Sequence, residues 1–324
     1  MFNKLKKNRK FYLTKLQFFI LLILLLGIFF RFVNLDRKLY WVDETYTSLR
    51  SSGYTVSEML EKLNDGNIID SKDLQKYQQI SPHKSAIDVV KSLQREDPQH
   101  PPLYFILTHF WMKSFGSSVT VIRCLAALFS LLSFPCIYWL CQELFASPQV
   151  GWLAIAVIAI SPFHVLYAHE AREYSLWTVT ILLSSAAFLR AIRLQTKFTW
   201  AIYALTITIT ITISLYTYLF SALVIFGHGI YLIIIEKFRL TKALIAYTIS
   251  SLIGLILFIP LLYICRGFWN KVSGKTGWTS SEVPFISLVK TWILNFSRLF
   301  LDFNYGIDNK SLVTGECEVL CQTF

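Results

Sequence analysis

The amino-acid sequence predicts an all-α fold, a polytopic bundle of about seven or eight transmembrane helices with a long first loop outside the membrane. Three observations predict it. Hydrophobic residues make up 54% of the 324 positions and charged residues only 16%, whereas a soluble domain carries about 25% charged residues. The apolar residues gather in long uncharged runs, and about 20 such residues span a bilayer. A strongly basic N-terminus precedes the first run, which is typical of a cytoplasmic flank.

The N-terminal region predicts a cytoplasmic tail over residues 1–11 and a first transmembrane helix over residues 12–32. Six basic residues and no acid lie in the first fifteen positions. A cleaved signal peptide is the alternative, but no small-residue cleavage site follows Phe30. The net charge of +11 could suggest nucleic acid. The basic residues are concentrated beside apolar runs, which favours membrane lipids as their partners instead. We expect no nucleic-acid partner.

Residues 33–118 form a different kind of segment, because they contain 11 of the 20 acidic residues. Short amphipathic patterns at Val56–Leu63 and Ala86–Leu93 predict helices that lie at the membrane interface. The segment ends in Pro101–Phe115, which is apolar but only about 15 residues long, short of the ~20 that a span needs. We therefore expect an extracytoplasmic loop that ends in an interfacial or re-entrant helix.

The positive-inside bias supports this topology. If Pro101–Phe115 does not cross, the basic loop residues fall on the same side as the basic N-terminus, and if it crosses, they all fall outside. These residues are Arg190, Arg193, Lys197, Lys237, Arg239 and Lys242. The chain is therefore expected in the cell (inner) membrane as a multi-pass protein.

Residues 119–265 predict transmembrane helices two to seven, with two helices and a tight turn near Tyr216–Tyr218 in the uncharged run Phe198–Ile235. Residues 266–324 predict an outer loop, a candidate eighth helix and a polar tail. The candidate helix Phe285–Leu301 contains two basic residues, so a surface helix is its alternative. The polar tail leaves a truncated protein as an open interpretation.

A first motif, Trp41–Tyr46, follows the first helix by about ten residues and contains Asp43 beside Glu44. Such a pair just outside a membrane can accept a proton, or can bind a divalent cation through hard oxygen ligands. A solvated turn in an acidic loop is the alternative. A divalent cation is thus left open as a cofactor, and no other cofactor is indicated.

A second motif, Asp97–Tyr104, places His100 before two prolines at the start of the short apolar segment. Proline at a helix start is well tolerated, because the first N–H groups lack helical partners. The motif is therefore also consistent with a plain helix start. His100 would nevertheless lie at the positive end of that helix, where phosphate groups bind readily.

A third motif, Ala168–Tyr174, connects two apolar runs and contains Glu170, Arg172 and Tyr174. The planar guanidinium of arginine suits phosphate recognition. Snorkelling towards lipid headgroups is the alternative for Arg172, and the same two interpretations apply to Arg123. In the predicted topology all three motifs and Arg123 share the outer membrane face.

This ordered set of motifs resembles the membrane glycosyltransferases of the GT-C class over roughly residues 12–300. The most similar group is the protein O-mannosyltransferase-like group (glycosyltransferase family 39), which includes the aminoarabinose transferases that modify lipid A. The resemblance implies an enzyme that uses a polyprenyl-phosphate sugar as donor, with catalysis on the extracytoplasmic face. The acceptor, whether lipid, glycan or protein, is unknown.

The resemblance also implies roles for individual residues. Asp43 matches the catalytic aspartate, with Glu44 beside it, and His100 matches a position that contacts the donor phosphate. Arg123 matches an arginine at the top of the second helix. The loop after the third helix is matched by Glu170, Arg172 and Tyr174. Relatives often carry a Thr-His-Tyr turn where this chain has Tyr216–Tyr218, so a histidine ligand is missing there and the metal site is left unassigned.

The expected mechanism needs a base and a cationic site for the departing phosphate. Asp43 is the expected base, and His100 and Arg172 are expected to stabilise the phosphate. Attack from the opposite face would invert the anomeric configuration. Two alternatives remain. A transporter or flippase would place polar residues near the bilayer midplane and often in paired halves, and the polar tail leaves an inactive truncated glycosyltransferase open.

Overall fold

The computed structural model describes residues 15–63, 70–193, 197–265 and 284–301. Within these ranges every regular element is a helix, which agrees with the all-α prediction. The chain divides into two compact units, Met1–Ile160 with His164–Glu282, and Ser161–Phe163 with Val283–Phe324. The predicted N-terminal tail, the outer loop over residues 266–283 and the polar tail after residue 301 lie outside the described residues.

The first unit combines long apolar helices with a group of short helices between residues 42 and 115. The short helices are α2 (Val42–Ser51), α3 (Val56–Leu63), α4 (Ser71–Gln75), α5 (Ala86–Glu96) and α6 (Leu103–Phe115). The helices before and after them are α1 (Lys15–Phe32), α7 (Val119–Phe145), α8 (Pro148–Ile160), α9 (Pro162–Ala168, whose first two residues belong to the second unit), α10 (Tyr174–Arg193), α11 (Lys197–Thr217), α12 (Ser221–Ile235) and α13 (Lys242–Cys265).

Four of the described helices, namely α1, α7, α10 and α13, are long and apolar enough to cross a membrane. The pair α8 and α9, bent by 62° at a short break, makes a fifth if it counts as one span. Shorter apolar helices occupy Ala204–Thr217 and α12. The larger number of seven or eight spans therefore stays a prediction.

Several predicted elements are confirmed. The amphipathic segments at Val56–Leu63 and Ala86–Leu93 form α3 and the first turns of α5. The long run at residues 198–235 forms α11 and α12, which are separated by Tyr218–Phe220. The short apolar segment forms α6, whose 13 residues bury one face against the protein.

The C-terminal end of α1 is fixed to the break between α8 and α9. A Cβ atom at Gly27 would lie 2.5 Å from the carbonyl oxygen of Ala159, so the two helices approach more closely than a larger residue would allow. Arg31 is buried and donates to the carbonyls of Ile158 (2.9 Å) and Ala159 (2.7 Å). The residue four positions after Ile158 is a proline, which has no N–H to donate to that carbonyl.

The short helices are held together by the buried Arg50 at the end of α2. Its guanidinium pairs with Glu96 (2.7 Å) and Asp97 (2.6 Å) at the end of α5. The Glu96 carboxylate also accepts from the backbone N–H groups of Val56 and Ser57 at the start of α3. This network joins three helices and fixes the chain just before His100.

At the opposite end of the bundle, the buried Glu143 of α7 lies between two arginines of α10. Its carboxylate is 3.6 Å from Arg190 and 3.5 Å from Arg193. Both arginines are half exposed, and Trp139 donates a hydrogen bond to the same carboxylate. These ion pairs join α7 and α10 at this end of the bundle.

In the described part of the second unit, the candidate eighth helix appears as α14 (Phe285–Ser297), with 13 residues and no buried side chain. After it, the Leu299 carbonyl accepts a hydrogen bond from the Ser161 hydroxyl, at 2.6 Å. The helix is shorter than the four candidate spans of the first unit.

Candidate active site

The candidate site lies where the start of α2 meets the loop over residues 169–173. Asp43 and Glu44 occupy the first turn of α2, where the positive end of the helix stabilises negative charge. Consecutive helical residues point about 100° apart. As a result, Glu44 is completely buried while Asp43 is only half buried.

Glu44 and Arg123 form a buried bidentate ion pair, with N–O distances of 2.8 and 2.7 Å and no exposure of either side chain. The remaining N–H groups of Arg123 donate to backbone carbonyls within residues 35–39, at 2.6 to 3.0 Å. All five donors of its guanidinium are thereby used. The pair joins the start of α7 to the start of α2.

The loop 169–173 is attached to the chain that follows α1. The Ala171 N–H donates to the Glu44 carboxylate at 2.8 Å, and His169 donates through Nε2 to the Phe30 carbonyl. Glu170, a predicted binding residue, forms an ion pair with Lys38. This part of the loop is held by contacts inside the protein.

Asp43 presents a carboxylate to which no described side chain or backbone N–H donates. Its own carbonyl accepts from the Thr47 hydroxyl at 2.9 Å and from Arg172 at 3.4 Å. A half-buried carboxylate with free lone pairs can accept a proton from a hydroxyl group. The geometry therefore suits the predicted base.

Arg172 is 4% exposed, which does not fit the snorkelling alternative. It donates to the Thr47 hydroxyl and to Glu173, each at 3.3 Å. Its Nε has no hydrogen-bond partner among the described residues. Burial alone would lower the pKa of Arg172, but the charges of Glu173 and Asp43 raise it above its usual value. Arg172 is thus a buried cation whose Nε N–H has no partner among the described residues.

Glu173 is a central residue that the sequence analysis missed. Its Oε1 atom lies 3.2 Å from His100 Nδ1 and 3.3 Å from Arg172. Burial alone would raise the pKa of Glu173, but the charge of Arg172 and the hydrogen bond from His100 outweigh it and hold the pKa at about 2. In the sequence, its role was signalled only by the position of an acidic residue directly after Arg172.

Aromatic rings surround this charged cluster. Tyr174 lies 4.8 Å from Tyr167 and 6.1 Å from Tyr218, measured between ring centroids. Tyr218 also packs against Trp177 at 4.6 Å. Sequence analysis identified the turn after α11 only through its missing histidine, whereas the structure brings its Tyr218 to the site.

The predicted site residues thus converge at one end of the helices. A chain of contacts runs from Asp43 through Arg172 and Glu173 to His100. Glu44, which pairs with Arg123, is connected to these contacts by the hydrogen bond from the Ala171 N–H of the loop. Glu170 lies in the same loop and pairs with Lys38. Among the residues that the structure describes, no three His, Cys, Asp or Glu side chains lie close enough together to hold a metal ion.

Comparison with known protein families identifies the class to which the chain belongs. Residues 99–264, about half of the chain, match the family described as dolichyl-phosphate-mannose-protein mannosyltransferase. The matched range includes His100, Arg123, the loop 169–173 and Tyr218, whereas Asp43 and Glu44 precede it. No curated protein matches the chain. The chain therefore belongs to the dolichyl-phosphate-mannose-protein mannosyltransferase family of GT-C membrane glycosyltransferases, as its sequence motifs indicated.

Proposed function

We propose that the protein transfers a sugar from a polyprenyl-phosphate donor to an acceptor hydroxyl at the extracytoplasmic membrane face, with inversion. The observation that carries this proposal is the arrangement of Arg172 and His100 around Glu173, beside the unpaired carboxylate of Asp43. Two potential donors to a phosphate thus lie next to a potential base. Mannose, which the family description names, is the first sugar to test.

In the proposed reaction the acceptor oxygen attacks the anomeric carbon of the donor sugar. Asp43 takes the proton of the acceptor hydroxyl as the new C–O bond forms. The bond between the anomeric carbon and the phosphate oxygen breaks, and its electron pair leaves with the polyprenyl phosphate. Arg172 and His100 stabilise the negative charge on that phosphate, since fixed donors in a buried site act strongly on developing charge.

Glu44, Arg123 and Glu170 have supporting roles in this proposal. Arg123 has no donor left for a phosphate, because Glu44 and backbone carbonyls use all of them. We assign this pair to holding α2, and therefore Asp43, against the loop. Glu170 anchors the same loop through Lys38, and the ring of Tyr174 offers an apolar face on which a sugar can stack.

An apolar groove beside the site suits the lipid part of the donor. Its volume is about 390 Å³. It is lined by Pro102 and Leu103 at the start of α6, Thr212 and Tyr216 of α11, and Leu261 of α13. Pro102 lies two positions after His100, so a chain in this groove would have its phosphate near that histidine.

The sidedness is part of the proposal. The basic residues Arg190 and Arg193 lie at the end of α10 opposite the site, and such residues favour the cytoplasm. The site then faces outward in the cell membrane. A divalent cation beside Asp43 is an alternative way to activate the acceptor hydroxyl.

The direct test uses the full-length protein in lipid nanodiscs with polyprenyl-phosphate mannose that is radiolabelled in the sugar. Washed membranes lacking the protein supply acceptors, and nanodiscs without protein are the control. We expect label to move from the donor lipid into an acceptor fraction, and a parallel reaction with EDTA tests the cation. If the sugar crosses sealed vesicles while still attached to its lipid, and no acceptor is labelled, the protein is a flippase instead. If label neither transfers nor crosses, the chain does not use this mannose donor, and a lack of transfer from every polyprenyl-phosphate sugar would mean an inactive chain.

A further inference from the structure

We infer that Glu173 is a positioning residue that fixes His100 and Arg172 as one unit facing the donor phosphate. The expected effect on sugar transfer rests on the proposed function, whereas the contacts of Glu173 with His100 and Arg172 rest on the measured distances. Neither the sequence motifs nor the family match assigns a role to this residue.

Glu173 connects two separate parts of the chain. His100 lies in the segment between α5 and α6, and Arg172 lies in the loop before α10, 72 positions away in sequence. One oxygen of Glu173, Oε1, contacts both side chains, at 3.2 and 3.3 Å. The Glu173 side chain is 1% exposed, whereas that of His100 is 23% exposed. The carboxylate is therefore the buried base of the unit, and the imidazole is its accessible part.

The ionisation of Glu173 determines which nitrogen of His100 carries a proton. With a pKa of about 2, the carboxylate is charged at neutral pH and can only accept hydrogen bonds. His100 must then donate from Nδ1. Its Nε2 is the ring nitrogen available to a ligand, and it donates to a phosphate when the ring carries both protons. A carboxylate behind a histidine sets the ring tautomer and orientation in the same way in other sites.

Glu173 also determines which donor of Arg172 is left for a ligand. The two terminal nitrogens of Arg172 are used by Glu173, the Thr47 hydroxyl and the Asp43 carbonyl. Its Nε has no partner among the described residues. The carboxylate also offsets the cost of burying an arginine before any phosphate arrives. The unit thus presents His100 Nε2 and Arg172 Nε to the donor.

A purely structural role is the competing explanation, because any buried ion pair can stabilise a fold. The other titratable groups around Glu173 and Arg172 are Asp43 of α2, Tyr104 of α6, Tyr174 of α10 and Tyr218. The three tyrosines are neutral at physiological pH, and the charge of Asp43 acts on Arg172. A double-mutant cycle separates the two explanations.

The cycle compares Glu173→Gln and His100→Ala, singly and together, in the mannose transfer assay. Groups that orient a ligand-binding histidine from behind contribute about 10- to 100-fold to activity. We therefore expect Glu173→Gln to lower kcat by that factor. In the His100→Ala background we expect a smaller loss than in the parent, because only Arg172 is then left for Glu173 to position. If the two losses multiply instead, Glu173 does not act through His100.

Glu143→Gln is the matched control, because Glu143 is also a buried carboxylate paired with arginine, but at the opposite end of α7 and α10. It should keep the parent kcat. If both variants lose activity equally, the effect of Glu173 is structural. Should Glu173→Gln fail to insert, Glu173→Asp replaces it, since it keeps the charge but draws it away from His100, and a kcat equal to the parent's would overturn the inference.

A readout independent of activity is the tautomer of His100. Protein labelled with 15N at histidine is measured by NMR, and the His100→Ala spectrum assigns the signals. We expect a proton on Nδ1 in the parent and a changed signal in Glu173→Gln. A proton on Nε2 alone, or no response to Glu173→Gln, would overturn the contact. If the parent transfers no sugar, the proposed function fails while this measurement still decides the contact.

Discussion

Two adjacent acids, Asp43 and Glu44, have opposite environments in this protein. In the sequence they form one motif, and nothing there tells which side chain is buried. In the structure, the turn of α2 sends Glu44 into a bidentate pair with Arg123 and leaves the Asp43 carboxylate without a donor among the described residues. The pair of Glu44 with Arg123 holds the backbone of α2 in place. The carboxylate of Asp43 can accept a proton.

This difference predicts a difference in stability. Glu44→Gln leaves Arg123 buried with no countercharge, and removing one partner of a buried pair costs about 3–5 kcal/mol. Glu170→Gln breaks a pair whose lysine is about one-third exposed, and such pairs are worth at most about 1 kcal/mol. Thermal unfolding in detergent should therefore show a much larger fall in Tm for Glu44→Gln.

Combining Glu44→Met with Arg123→Met provides the control for that prediction. The double change removes both charges, so it should recover part of the lost Tm. Full recovery is not expected, because the Ala171 N–H and the carbonyls within residues 35–39 lose their partners. Equal Tm values for Glu44→Gln and Glu170→Gln would contradict this account of the pair.

Residue types and their approximate positions were predictable from the sequence, but their partners were not. Arg123 could be placed at the start of a helix, yet its partner Glu44 is 79 positions away, and only tertiary packing shows that every donor is used. Glu173 escaped notice for the same reason, because its partner His100 is 73 positions away. The type and position of one residue do not predict which distant residue it will contact.

At the scale of helices, hydrophobic patterning predicted more. Charge-free runs and amphipathic periods located α3, α5, α11 and α12, because these depend on local sequence. The pattern did not predict the break between α8 and α9. That break is stabilised by Arg31 of α1, which donates hydrogen bonds to carbonyls that are far away in sequence.

The direction of each helix across the membrane is a testable consequence of these elements. We expect a reporter joined after Arg193, at the end of α10, or after Arg239, beyond α12, to be cytoplasmic. A reporter inserted between Leu63 and Asp70 should be external. The reason is that α6, with 13 residues, is too short for a span of about 20. An external signal from the Arg193 fusion would mean that α6 crosses.

At the scale of the whole molecule, residues from distant parts of the chain meet at one end of the helices. The start of α2, the segment before α6, the loop before α10 and the turn after α11 all contribute to the candidate site. Family membership supplies the class of enzyme. In the proposed mechanism, the contacts assign separate roles to a base (Asp43), a phosphate-binding unit (His100, Arg172 and Glu173) and a buried pair that holds them together (Glu44 and Arg123).

The measurement that tests this account most directly compares Asp43→Asn with Asp36→Asn in the mannose transfer assay. Asp36 is an exposed acid in the same loop, so its amide should leave kcat unchanged. Asp43→Asn keeps the shape but removes the base, and general bases contribute about 10² to 10⁴ in rate. We predict a fall in kcat of at least about 100-fold, with binding of polyprenyl phosphate preserved. Full turnover by Asp43→Asn would contradict the central claim that this carboxylate activates the acceptor.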